Sequence, residues 1–86
     1  MVIKLKDGYE VSINESCLND WNMLRLLRQV DKGESAVIVD VVDLMLGADQ
    51  SEALAKHLEV DGVTPIDAMV DAMREIMEAA TELKNS

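Results

Sequence analysis

SAVIVDVVDLML, residues 35–46, is the stretch whose reading decides the fold. Its β-branched residues favour a strand by propensity. A strand here would join the N-terminal strands in a three-stranded α+β protein. Three features predict a helix instead. Asp40 and Asp43 are the only charges in the run; three apart, they share one helical face, whereas a strand would place them on opposite faces. Ser35 can cap the start and Gly47 can end it. The apolar pattern also runs for about twelve residues, long for a strand in a small domain. Such a helix would be central and nearly surrounded.

Upstream, LNDWNMLRLLRQV at residues 18–30 carries the single Trp of the chain and a dense set of large apolar residues. Trp21, Leu24 and Leu27 recur every three residues, and Met23, Leu27 and Val30 at four and three. This pattern predicts a helix over about 17–31 with a wide buried face. Ser16 or Asn19 can cap it and Gly33 can stop it. Asp20, Asn22, Arg25, Arg28 and Gln29 can stay wet. Trp21, Leu24 and Leu27 are the expected core, since burying one such side chain is worth roughly 1.5–3 kcal/mol.

Further upstream, residues 2–13, VIKLKDGYEVSI, alternate as two strands around Asp7-Gly8. A two-residue turn would set Leu5 against Glu10 and scatter the apolar residues over both faces. A three-residue loop, Lys6-Asp7-Gly8, with Gly8 left-handed, pairs Leu5 with Tyr9 and Ile3 with Val11. That register collects Ile3, Leu5, Tyr9, Val11 and Ile13 on one face and sets Lys4 beside Glu10. An isolated hairpin is marginal, so this face must lie on the helices.

Downstream, Asp49-Gln50-Ser51-Glu52 resembles a capping box and opens a helix over about 50–59, anchored by Leu54 and Leu58. Thr64-Pro65-Ile66-Asp67 is a helix start, with Thr64 as N-cap and an acid at the positive end. The last helix, about 65–83, carries Ile66, Met69, Met73, Ile76, Ala80 and Leu83 on one stripe, and Lys84-Asn85-Ser86 is expected to fray. The chain therefore reads as a single domain, 1–86, of α+β class but mainly α: a hairpin on four helices.

The apolar fraction of 49% suits a globular chain, whereas no apolar run nears the roughly 18–20 residues of a membrane span. With no basic n-region and a single Cys, the expectation is a soluble protein of a reducing compartment. Seventeen acidic against eight basic residues give −9. That charge disfavours nucleic acid and anionic membranes, and suits a basic partner.

No enzyme, cofactor or metal class has a supporting constellation. His57 stands without a second His or Cys nearby, Asp40 with Asp43 makes half an oxygen site at most, and Cys17 lacks a partner base. Cys17 reads as a small buried hydrophobe. The stripe of Met69, Met73, Ile76 and Met77 has two readings. It is core against the Trp21 helix, or an adaptable surface that docks a partner helix, with Asp71, Glu75 and Glu78 as an acidic rim for Lys or Arg flanks.

KLKDGYEVSINES at 4–16, DWNMLRLLRQVDKG at 20–33, VVDLMLG at 41–47 and LAKHLEVDGVTPIDAMVDAMREIME at 54–78 together resemble tail assembly chaperones of long-tailed bacteriophages and prophages. Asp20-Trp21 followed by Leu24, Leu27 and Arg28, and HLEVDGVTPIDAM around Gly62, are the most specific parts. The resemblance implies a small, mainly helical protein of the bacterial host cytoplasm. It would coat the tape measure protein, keep it soluble, recruit tail tube protein subunits and be absent from the mature virion. Many such proteins also have a longer frameshifted form. The family supplies no functional-residue motif, so the Met stripe remains a reading of pattern. A homo-oligomer through the apolar faces is compatible with this reading.

Two rival readings come from other classes. One is an acidic mimic of nucleic acid that blocks a DNA-binding protein. The other is an acyl carrier, since LGADQSEAL superficially resembles a prosthetic-group site at Ser51. Gln50 interrupts that motif, Glu52 replaces its Leu, and a hairpin precedes it.

Overall fold

Two short strands, β1 (Val2–Lys4) and β2 (Glu10–Ser12), pair antiparallel with Ile3 opposite Val11 and Lys4 opposite Glu10. The computed structural model describes residues 1–85. Leu5 donates its N–H to the Tyr9 carbonyl at 2.8 Å, and Gly8 donates to the Leu5 carbonyl at 2.9 Å. Gly8 has φ +93°, where a side chain would be strained. The three-residue loop is thus the one formed. Ile3, Leu5, Val11 and Ile13 are buried on one face, with Tyr9 half-buried beside them.

The other Asp-Gly pair makes the alternative turn. Asp61 (φ 51°) and Gly62 (φ 83°) are both left-handed and link a lone bridge between Val60 and Val63. Two positive φ values are what a two-residue type I′ connection requires. The same dipeptide serves two turn types because facial alternation, not the dipeptide, fixes the register.

Four helices follow. A 3₁₀ turn over Glu15–Asn19 leads into α1 (Trp21–Asp31). Asn14 caps the 3₁₀ turn and Asp20 caps α1, accepting the Asn22 N–H at 2.8 Å, so neither Ser16 nor Asn19 is the cap. The helix expected from residue 17 is therefore split at Asp20. A second 3₁₀ turn, Ser35–Val37, opens α2 (Ile38–Leu46). Residues 36–46 are helical despite their β-branching, but Ser35 lies inside the turn and no side chain caps its start. Ile38, Val41, Val42, Met45 and Leu46 are buried while Asp40 and Asp43 are exposed, as their shared face requires.

Gly47, at φ +84°, ends α2 and leads at once into α3 (Ala48–His57). This helix starts earlier than the sequence pattern suggests, so Asp49 falls inside the first turn and does not cap it. α4 (Ile66–Asn85) follows the Val60–Val63 turn. The Thr64 hydroxyl, expected to cap α4, instead donates to the Ala55 carbonyl at 2.8 Å and ties the turn to α3. α4 runs through Asn85, two residues beyond the end expected at Leu83; Ser86 lies outside the described residues.

The core joins the hairpin face to Val41, Val42 and Met45 of α2, Leu54 of α3, and Ala72, Met73, Ile76 and Ala80 of α4. From α1 it takes Met23 fully, with Leu26, Leu27 and Val30 half-buried against it. Trp21 and Leu24 are not in it: they are 71% and 60% exposed. This corrects the expected core, and helix geometry gives the reason. At about 100° per residue, Trp21 lies roughly 200° from Met23 and 180° from Val30. Arg25 and Arg28 flank Trp21 on its own face. The helix buries its uncharged apolar arc, and the Trp falls on the charged one.

Candidate partner-docking site

The Met stripe of α4 is divided. Met73 and Ile76 are buried and belong to the core, so they are removed from the expected docking set. Met69 and Met77, one turn beyond on either side, are half-buried and each reaches a different groove. Of the rim residues, Asp71 and Glu78 are exposed. Glu75 is half-buried and engaged, its Oε1 accepting the Lys6 backbone N–H at 2.6 Å. Glu75 therefore holds the hairpin loop to α4 and does not act as a free rim charge.

Met77 joins Trp21, Leu24, Leu27, Leu18 and Thr81 around an open groove of about 550 Å³ between α1 and α4. Three of these, Leu18, Leu27 and Met77, are half-buried and form its floor. Trp21 stands up at its edge. Asp20 also lines it, its carboxylate occupied at the α1 N-terminus. The Thr81 hydroxyl donates to the Met77 carbonyl at 2.8 Å and is satisfied within α4. Glu78 and Glu82 border the Met77 side, and Arg25 and Arg28 follow Trp21 and Leu24 along α1. The site is an apolar trough with charge of both signs on its margins.

Its chemistry is that of binding. Cys17 lies at the back of the groove and is buried. Burial first, and then the nearby Asp20 charge, push its thiol pKa up, so the thiolate needed of a nucleophile is disfavoured. Among the described residues, no group of three or more His, Cys, Asp or Glu side chains is arranged to hold a metal ion. No described helix is long and apolar enough to cross a membrane. Ser51, the position compared above with a prosthetic-group site, has its hydroxyl sealed from solvent without a hydrogen-bond partner.

One cluster escaped the sequence reading. His57 Nε2 lies 2.7 Å from Asp7 Oδ2, and its ring stacks on Tyr9 with centroids 4.1 Å apart. Asp7 Oδ1 also accepts the Tyr9 N–H at 2.9 Å. That bond, and then the His57 contact, hold the Asp7 carboxyl below its ordinary pKa. The cluster clamps the hairpin loop to the end of α3. Sequence separation of 50 residues hid it, although a lone His and a lone Tyr in a chain so poor in aromatics were a usable hint.

Compared with protein-family models, with curated proteins and with solved structures, the chain matches none.

Proposed function

We propose that this chain is a phage tail assembly chaperone that binds segments of a tape measure protein in the α1–α4 groove and works by binding alone. The observation that carries the reading is Trp21, the single Trp, standing 71% exposed on an open apolar groove of an 86-residue acidic domain. Large aromatics left in water at the edge of a trough are typical anchors for a partner. The motif resemblance over most of the chain names the class of partner.

A tape measure protein is long and largely helical, and offers many similar segments to one small chaperone. Each groove would seat one apolar helix face, with Trp21, Leu24 and Met77 as contacts. Weak individual contacts then gain from repetition along one polymer. In this reading the bound chaperones keep the tape measure protein soluble in the bacterial cytoplasm, recruit tail tube protein and leave before the particle is finished.

Co-expression with a tape measure protein of a long-tailed bacteriophage tests the proposal. The chain should raise the soluble fraction of that protein, and Trp21→Ala should lose the effect while its helical circular dichroism persists. A folded Trp21→Ala variant that solubilises the tape measure protein as well as the parent would remove the groove from the mechanism. No effect from the parent chain would remove the function itself.

A further inference from the structure

A second groove, of about 590 Å³, opens where α2, α3 and the start of α4 meet, and it shares no lining residue with the Trp21 groove. Val42 and Met69 form its floor, while Val39 and Ile66, 64% and 66% exposed, stand at its edges. The α3 wall is made of small residues, Ala48, Ser51 and Ala55, which lets another backbone come close. Asp43 and Glu52 line it as well, and neither is engaged by an ion pair among the described residues. Large aliphatic side chains facing water beside unpaired carboxylates are an arrangement that an occupant of opposite charge would complete.

We infer that this groove is a second docking site, taking an amphipathic helix whose aliphatic residues are flanked by Lys or Arg. Leu or Ile side chains one turn apart would sit on Val42 and Met69 between Val39 and Ile66, and the basic flanks would face Asp43 and Glu52. Ser51 fits the same occupant. Its hydroxyl is sealed from solvent, so the residue presents a small, low surface on the α3 wall. A second copy of the chain fits less well. A groove of this size seats two or three side chains, well below the roughly 800 Å² per partner that a stable dimer buries. The site is independent of the tail-chaperone reading, since Trp21 and Leu24 take no part in it.

The test uses the full chain, labelled with ¹⁵N, and a synthetic alanine-based helical peptide of about 16 residues, long enough to be helical alone. It carries two Leu four residues apart with Lys on both sides; a control peptide has Glu in place of Lys. The Lys peptide should shift the amides of Val39, Val42, Ala55, Ile66 and Met69, and Val39→Asp should weaken it at least about tenfold. Glu52→Lys, which leaves the aliphatic floor intact, should weaken the Lys peptide and strengthen the Glu peptide. Trp21→Ala should leave the titration unchanged. Equal binding of the two peptides, no binding, or shifts centred on Trp21 and Leu24 would overturn the inference. Shifts of the same amides on simple dilution of the chain without peptide would assign the groove to a second copy and overturn it equally.

Discussion

Gln50 of α3 completes the backbone of Ser12 on β2 as a neighbouring strand would. The Ser12 N–H donates to Gln50 Oε1 at 2.8 Å, and Gln50 Nε2 donates to the Ser12 carbonyl at 2.6 Å. The same Nε2 also donates to the Leu46 carbonyl at 2.9 Å, at the C-terminal end of α2. One amide thus protects the open edge of a two-stranded sheet and anchors it to two helices, where an exposed edge would invite pairing with another chain.

Gln50→Ala should therefore cost about 1–2 kcal/mol, the net worth of a few partly solvated hydrogen bonds. The loss should be local. Hydrogen exchange of the Ser12 amide should speed up far more than that of Val41 or Met45, which are fully buried on α2. Unchanged Ser12 exchange would mean the strand edge is held by other contacts.

Trp21→Ala should change stability by less than about 1 kcal/mol, because little of the side chain leaves water on folding. Met45→Ala and Ile76→Ala, at positions with no exposed surface, should each cost about 2–5 kcal/mol. Chemical denaturation of the three variants separates the exposed Trp from the core. A Trp21→Ala loss as large as the other two would contradict its placement.

Met73→Asp and Met77→Asp should behave differently although they lie one turn apart. The first places a carboxylate among core residues and should prevent folding. The second changes a half-buried residue lining the Trp21 groove and should leave the circular dichroism in place while weakening partner binding. Equal loss of fold in both would place Met77 in the core as well.

Asp7 makes stability depend on pH at the acid end. Its folded pKa is lowered from 3.8, first by the Tyr9 N–H and then by His57. A lowered carboxyl pKa adds stability above the unfolded value, and that stability is lost as pH falls through the folded one. The difference in melting temperature between the parent and Asp7→Asn should thus be present above about pH 4 and close below it. A ¹³C titration of Asp7 should have its midpoint below 3.8 and move up in His57→Ala. An upward shift in the parent would reverse the sign and exclude the clamp.

Where local chemistry and facial alternation agree, the sequence alone determined the structure. Ile3, Leu5, Val11 and Ile13 can share a face in one register only, so the hairpin was legible residue by residue. Asp40 and Asp43 fixed residues 36–46 as a helix against their own propensity, because two charges cannot enter a core that the rest of the helix must line. Spacing placed Met73, Ile76 and Ala80 on one stripe of α4, but their burial came from the structure. Helix caps were less legible, since Asn14, Ser16, Asn19 and Asp20 offer equivalent oxygens within one short stretch.

Tertiary structure decided which arc of α1 is buried, how the Met stripe is shared between core and grooves, and where Gln50 and His57 find their partners. The reason is geometric. Apolar residues cover more than half the circumference of α1 and α4, and periodicity gives the width of such a stripe but not the side that meets a neighbour. That choice was made by the hairpin, α2 and α3 together, which can cover Met23 and Met73 but leave Trp21, Leu24 and Val39 in water.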